Sequence, residues 1–233
     1  MKKVIIVIGI LVLLAGGAMP LINGMIMEKI ARQTMTNVNE MNLGSGSDVK
    51  VEISSFDRGF SSSTIEWRID FGILSTLYGV DEIVFVETAT HGYGGVVSET
   101  RLDRNPWFND LINLHLSGKN PIHIKTEYPI FGKITSTVTV DGFSIEDGED
   151  IFYVEPASIV LSLDKQIRQV QSLVHWQGGE VPGKMKIGRI SVSSAMEKIT
   201  PFIWDGRTTL ELDSFKVDDQ SEQFEVKKAL IET

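Results

Sequence analysis

The sequence predicts an α+β fold that is mostly β, with an N-terminal transmembrane helix and a stalk helix leading into a large antiparallel sheet. Three observations carry this reading. Residues 4–22 contain no charged side chain. The hydrophobic period then changes from helical steps of three and four to strict alternation beyond residue 48. Finally, two stretches of the alternating region align without gaps at a spacing of 72 residues, which suggests an internal repeat.

The opening segment reads MKKVIIVIGILVLLAGGAMPLING. As a helix, residues 4–22 would span roughly 28 Å, about the thickness of a bilayer's hydrocarbon core. Lys2 and Lys3 precede the run, so the positive-inside rule keeps the N-terminus in the cytoplasm and sends the rest across. A cleaved signal peptide is the competing reading, with the small residues Ala15 to Ala18 as its cleavage region. Apolar character continues through Met25, Ile26 and Met27, which favours an anchor over cleavage. No cysteine is present to carry a lipid, and disulfides and thiolate metal sites are excluded with it.

A second helix is expected beyond Pro20 and Gly24. Met27, Ile30, Ala31, Thr34, Val38 and Met41 form one apolar stripe, suited to a stalk that packs on the following domain. Gly44-Ser45-Gly46-Ser47 would end it as a flexible joint. The chain thus divides into an anchor or signal peptide (1–24), a stalk helix and joint (25–47), and a β-rich domain (48–233).

Within that domain, Val49, Val51 and Ile53 alternate with polar residues, as do Ile65, Trp67, Ile69 and Phe71. Between them, Phe56-Asp57-Arg58-Gly59-Phe60 reads as a hairpin closure with Gly59 at positive φ. Further strands are expected at 82–90, 122–128, 135–140, 159–163, 169–176, 184–192, 208–212 and 224–228. A short helix is expected at 106–113, capped by Asn105 with Pro106 in its first turn, and another helical piece at 194–203.

The repeat pairs residues 129–147 with 201–219. Pro129 matches Pro201, Asp141 matches Asp213, and Phe143 matches Phe215. Farther on, Phe152 and Val154 fall on Phe224 and Val226. The second copy stops at Thr233, so the chain is expected to be a shortened form of a longer repetitive protein with an open sheet edge.

Chemistry-bearing motifs are sparse. His91-Gly92-Tyr93-Gly94-Gly95 follows a strand but lacks the Lys-Ser/Thr of a phosphate loop, so it reads as a turn. His91, His115, His123 and His175 are scattered, without zinc-ligand spacing. Residues 146–150 (EDGED) read as a solvated hairpin tip rather than a calcium loop. No catalytic, cofactor-binding or metal-binding residue is assigned. The net charge of −9 disfavours nucleic acid as a partner.

Taken together, the hydrophobic segment followed by a helix, the Phe56-Asp57-Arg58-Gly59 turn leading to Ser61-Ser62, and His91-Gly92 after a strand resemble the YdgA-type family of bacterial envelope proteins. Where that family carries a proline-containing run after His-Gly, this chain has Tyr93-Gly94-Gly95. The resemblance implies an inner-membrane anchor through residues 4–22, a periplasmic domain, and no transferable catalytic residues.

The expected function is therefore a membrane-anchored envelope protein that binds a hydrophobic ligand or another envelope component, with lipid handling as the specific form. A strand-accepting scaffold is the first alternative. A hydrolase using His91 with Glu87 or Glu99 as its general base is the second.

Overall fold

A computed structural model describes residues 17–103, 105–200, 203–218 and 223–233, together with the helical backbone path of residues 2–16; side chains at 77, 78, 111 and 147 are not described. Helix α1 runs unbroken over Lys2–Gly44. The expected anchor and the expected stalk helix lie on one continuous helix of 43 residues, with Pro20 inside it. Proline removes one backbone hydrogen bond and crowds the preceding turn, yet a long helix with stable flanking turns can absorb it. Among the described residues, no helix is long and apolar enough to cross a membrane. Most of the predicted span of residues 4–22, namely 4–16, lies outside the described side chains.

The chain forms two compact units: residues 1–100 with 126–132, and residues 101–125 with 133–233. In the first unit β1 (Lys50–Arg58), β2 (Ser62–Asp70), β3 (Glu82–Gly92), residues 95–100 of β4 (Gly95–Asp103) and residues 126–129 of β5 (Ile122–Pro129) lie in that order. Helix α1 packs on this sheet. Met27, Ile65, Ala89 and Val96 are buried together, flanked by Ile53, Phe56, Trp67 and Tyr128. Burying one such aliphatic side chain contributes roughly 1.5–3 kcal/mol, so this cluster fixes the helix to the strands.

Near its C-terminus α1 also covers the edge of β1. The Asn39 amide donates to Val51 O at 2.7 Å and accepts from Val51 N at 2.8 Å, pairing with the edge as a strand would. Asn42 Nδ2 donates to Val49 O at 2.8 Å. Residues 44–47 are not a free joint: Ser45 N and Ser47 N bond back to Met41 O and Asn42 O. An exposed strand edge invites foreign pairing, and this clamp closes it. The β1–β2 hairpin forms as expected, but Gly59 is absent from the positive-φ glycines; its N–H bonds Ser62 O at 2.8 Å.

The second unit holds β6 (Ile134–Val140), β7 (Phe143–Asp147), β8 (Asp150–Val154), β9 (Ala157–Leu163), β10 (Gln169–Trp176) and β11 (Gly179–Val181). These are followed by β12 (Met185–Ile187), β13 (Ile190–Lys198), β14 (Trp204–Leu212), β15 (Phe215–Asp218), β16 (Gln223–Val226) and β17 (Ala229–Glu232). Six run in the order β6-β9-β10-β13-β14-β17, and the other six in the order β16-β15-β12-β11-β8-β7. The second set continues the first, strand by strand, after a two-residue break such as Asp141-Gly142, Glu155-Pro156 or Gln177-Gly178. At Gly178, φ is +111° and a Cβ would meet Ile187 O at 2.2 Å, so the bend admits no side chain there.

The expected helix at 194–203 is corrected: Ile190–Lys198 is strand β13, paired with β10 on one side and β14 on the other. Its alternation of Val192, Ser194 and Met196 with Ser193, Ala195 and Glu197 suits a strand with neighbours on both sides. Helix α2 (Ser75–Tyr78) is a single turn, and helix α3 (Pro106–His115) forms where expected. Asn105 stands at its N-cap, but the side chain bonds Asp103 O at 2.7 Å rather than capping the helix.

The matched positions at a spacing of 72 residues do fall at equivalent strand ends, Phe143 with Phe215 and Ala157 with Ala229. The β10–β13 pair breaks in the same way without sharing that sequence pattern. The geometry therefore belongs to the meander and does not demonstrate a repeat.

Candidate functional site

The residues of the family-like motifs converge on α1. His91 is buried, and its Nε2 lies 2.9 Å from Ser63 Oγ. Its Nδ1 lies 3.4 Å from Phe60 O. Gly24 of α1 sits on the ring, where a Cβ would approach His91 Cε1 to 2.3 Å. Beside it, buried Asn23 donates from Nδ2 to Gly92 O at 2.6 Å.

Arg58 of the Phe-Asp-Arg-Gly turn reaches Glu28 at 2.6 Å, and Arg32 bonds the same carboxylate at 3.0 Å. The Arg32 guanidinium also stands 5.8 Å from the centre of the Phe56 ring. Burial lowers the pKa of His91; the Phe60 carbonyl raises it, and the Arg58 charge lowers it again. The ring, bonded to a hydroxyl and covered by the helix, is part of the contact between α1 and the sheet. Among the described residues, no carboxylate is a hydrogen-bond partner of His91: the expected companion Glu87 turns elsewhere.

Glu87 is the centre of a second buried group. Oε2 accepts from Trp67 Nε1 at 2.8 Å, while Oε1 accepts from Ser98 Oγ at 2.5 Å and from Tyr128 OH at 3.1 Å. Three neutral donors satisfy the carboxylate and tie β2, β3, β4 and β5 at one point. Burial pushes the Tyr128 phenol well up, and the Glu87 charge and hydrogen bond push the same way. Among the described residues, no group of three or more His, Asp or Glu could hold a metal ion.

The third feature lies in the second unit. Cross-strand partners share a face, so the register defines which side chains stand together. One row runs Val138, Ile159, Val174, Val192, Leu210 and Ile231. The adjoining row on that face is Val140, Ala157, Trp176, Ile190, Leu212 and Ala229. The opposite face carries Thr139, Ser158, His175, Ser191, Glu211 and Leu230 in register.

None of the apolar rows is buried; Ile159 is 39 % and Ile231 56 % exposed. A sheet normally packs its apolar face against another layer. This six-strand face keeps part of its apolar surface in contact with solvent, and it is the candidate binding surface. Its signal in the sequence was the alternation itself, but alternation cannot say whether the apolar side is covered.

The whole chain, residues 1–233, matches the model of a family described as bacterial protein of unknown function (DUF945), and the chain belongs to that family. No curated protein and no solved structure matches it.

Proposed function

We propose that this chain is a single-pass inner-membrane protein whose β-rich part, facing the periplasm, binds a hydrophobic ligand such as the acyl chains of a lipid. The observation that carries the reading is the partly exposed apolar face centred on Val174, Val192 and Leu210. A contiguous apolar face left partly in contact with solvent is a common feature of binding surfaces. The charge-free residues 4–22, behind Lys2 and Lys3, support the membrane address, and the resemblance to YdgA-type proteins supports the envelope.

Mass spectrometry of lipids retained by the full chain after mild detergent extraction tests the proposal. Stoichiometric lipid that is lost from a Val174→Asp variant supports it; protein free of lipid rejects it.

A second reading, a scaffold that accepts a partner strand, draws support from β17, which pairs with β14 over Thr209–Leu212 and leaves Trp204–Arg207 without a described neighbour on that side. Crosslinking in intact cells distinguishes the two, since the scaffold requires one dominant protein partner.

A further inference from the structure

The end of the first unit from which α1 continues toward its N-terminus has an unusual composition. Three turns meet there, at residues 59–62 (GFSS), 92–95 (GYGG) and 129–132 (PIFG), and none contains a charged residue. Backbone hydrogen bonds link them in series: His91 N to Ser61 O at 2.8 Å, and Ile130 N to Gly94 O at 3.0 Å. Each turn exposes one aromatic ring: Phe60 is 59 %, Tyr93 68 % and Phe131 89 % exposed.

Helix α1 passes these turns at Asn23 and Gly24, the residues held by Gly92 and His91. On its outer face Ile22, Met25 and Ile26 are exposed, on a different side from the buried Asn23, Met27 and Ala31. No charge occurs between Lys3 and Glu28. The helix therefore leaves the sheet at the level where its charge-free run begins, and the aromatic turns stand at that same level.

We propose that these three turns and the Ile22–Met25–Ile26 stripe form a single surface that seats the first unit directly on the bilayer, with Phe60, Tyr93 and Phe131 at the headgroup–acyl boundary. This rests on the reading of residues 4–22 as a membrane anchor. The surface is continuous with that segment, which identifies its occupant as lipid. Aromatic rings favour this boundary. The turns contain no Lys or Arg and the chain carries a net charge of −9, so the attraction is apolar and requires no anionic lipid. The bilayer would then begin at the sheet's own turns, and α1 from Met27 onward would be part of the folded unit rather than a stalk.

The absence of cysteine allows single-site labelling of the full chain. An environment-sensitive fluorophore is attached through Phe60→Cys, Tyr93→Cys, Phe131→Cys, Ala18→Cys and, at the opposite end of the same sheet, Ile73→Cys. The proteins are reconstituted in phosphatidylcholine nanodiscs with and without a quencher-bearing lipid. The proposal expects labels at 60, 93 and 131 to shift to the blue and lose intensity with the quencher, as the label at 18 does, while the label at 73 does neither. Quenching at 18 without quenching at the three turns overturns the seating but leaves the anchor standing. No quenching at 18 overturns both.

Discussion

The Cβ that Gly24 lacks would lie 2.3 Å from Cε1 of His91. The close approach of helix and sheet therefore depends on a glycine in one and an imidazole in the other. Replacing Gly24 by alanine must push the ring or the helix aside, and overpacking of this kind costs about 1–3 kcal/mol. Hydrogen exchange of the α1 amides around Met27 and Glu28 should accelerate in Gly24→Ala. A Gly24→Ala, His91→Ala double variant should recover part of the loss, because the obstructing ring is gone.

Acid should loosen the same contact. Burial holds His91 below its ordinary value of about 6.5. A group whose folded pKa is depressed contributes stability that is fully present above its unfolded pKa and is lost as pH falls through the folded one. The decline therefore begins below about pH 6.5 and levels off once the pH has fallen below the lowered folded value, where both states carry the proton. Thermal unfolding between neutral and mildly acidic pH should show this slope, and His91→Gln should flatten it.

Removing the Glu87 carboxylate leaves the donors of Trp67, Ser98 and Tyr128 without their shared acceptor. Hydrogen bonds to a charged group contribute about 1.5–3 kcal/mol each, so Glu87→Ala should cost on the order of 3 kcal/mol or more in chemical denaturation. Glu87→Gln should cost less, since its amide oxygen can still accept. In the Gln variant the Tyr128 phenol should titrate lower than in the parent chain, because the adjacent negative charge is gone. It should still titrate above its ordinary value of about 10, because burial is the largest cause of the shift. Phenolate absorbance reads both shifts.

Charges placed on the apolar face of the second unit should separate binding from folding. Val174 and Leu210 are not fully buried, so Val174→Asp and Leu210→Glu should each cost about 1–3 kcal/mol of stability, the ordinary range for a point substitution, and leave the unit folded. Retention of a fluorescent fatty acid by the same proteins should fall at least tenfold.

Most strands were legible because Ile65, Trp67 and Ile69, or Val170, Ser172 and Val174, alternate in the way a half-buried strand requires. Strand β4 was not, because one of its inward positions is Ser98, a polar residue buried to bind Glu87. A buried polar network erases the alternation that identifies a strand. Strands β7, β8, β11, β15 and β17 were not legible, and β12 and β13 read as one strand, because a two-residue bend divides each long arm. Gly188 and Arg189, for example, divide a run that reads as one strand.

The motifs at Arg58-Gly59 and His91-Gly92 were visible as motifs, but their role was not. It depends on Asn23, Gly24 and Glu28, which contact them across long stretches of sequence. Helix α1 read as two pieces because Pro20 and Gly24 are both helix breakers by propensity. In the fold, Gly24 is required by the His91 ring.

The proposed binding face is tested most directly by labelling it. Bacterial membranes containing the full chain would be irradiated with a diazirine-bearing fatty acid, and the modified peptides mapped. If the face binds acyl chains, adducts are expected on the cross-strand row, concentrated at Ile159, Val174, Val192 and Leu210, and they are lost in the Val174→Asp variant. Adducts confined to the N-terminal helix and the aromatic turns, with none on that row, would contradict the proposal.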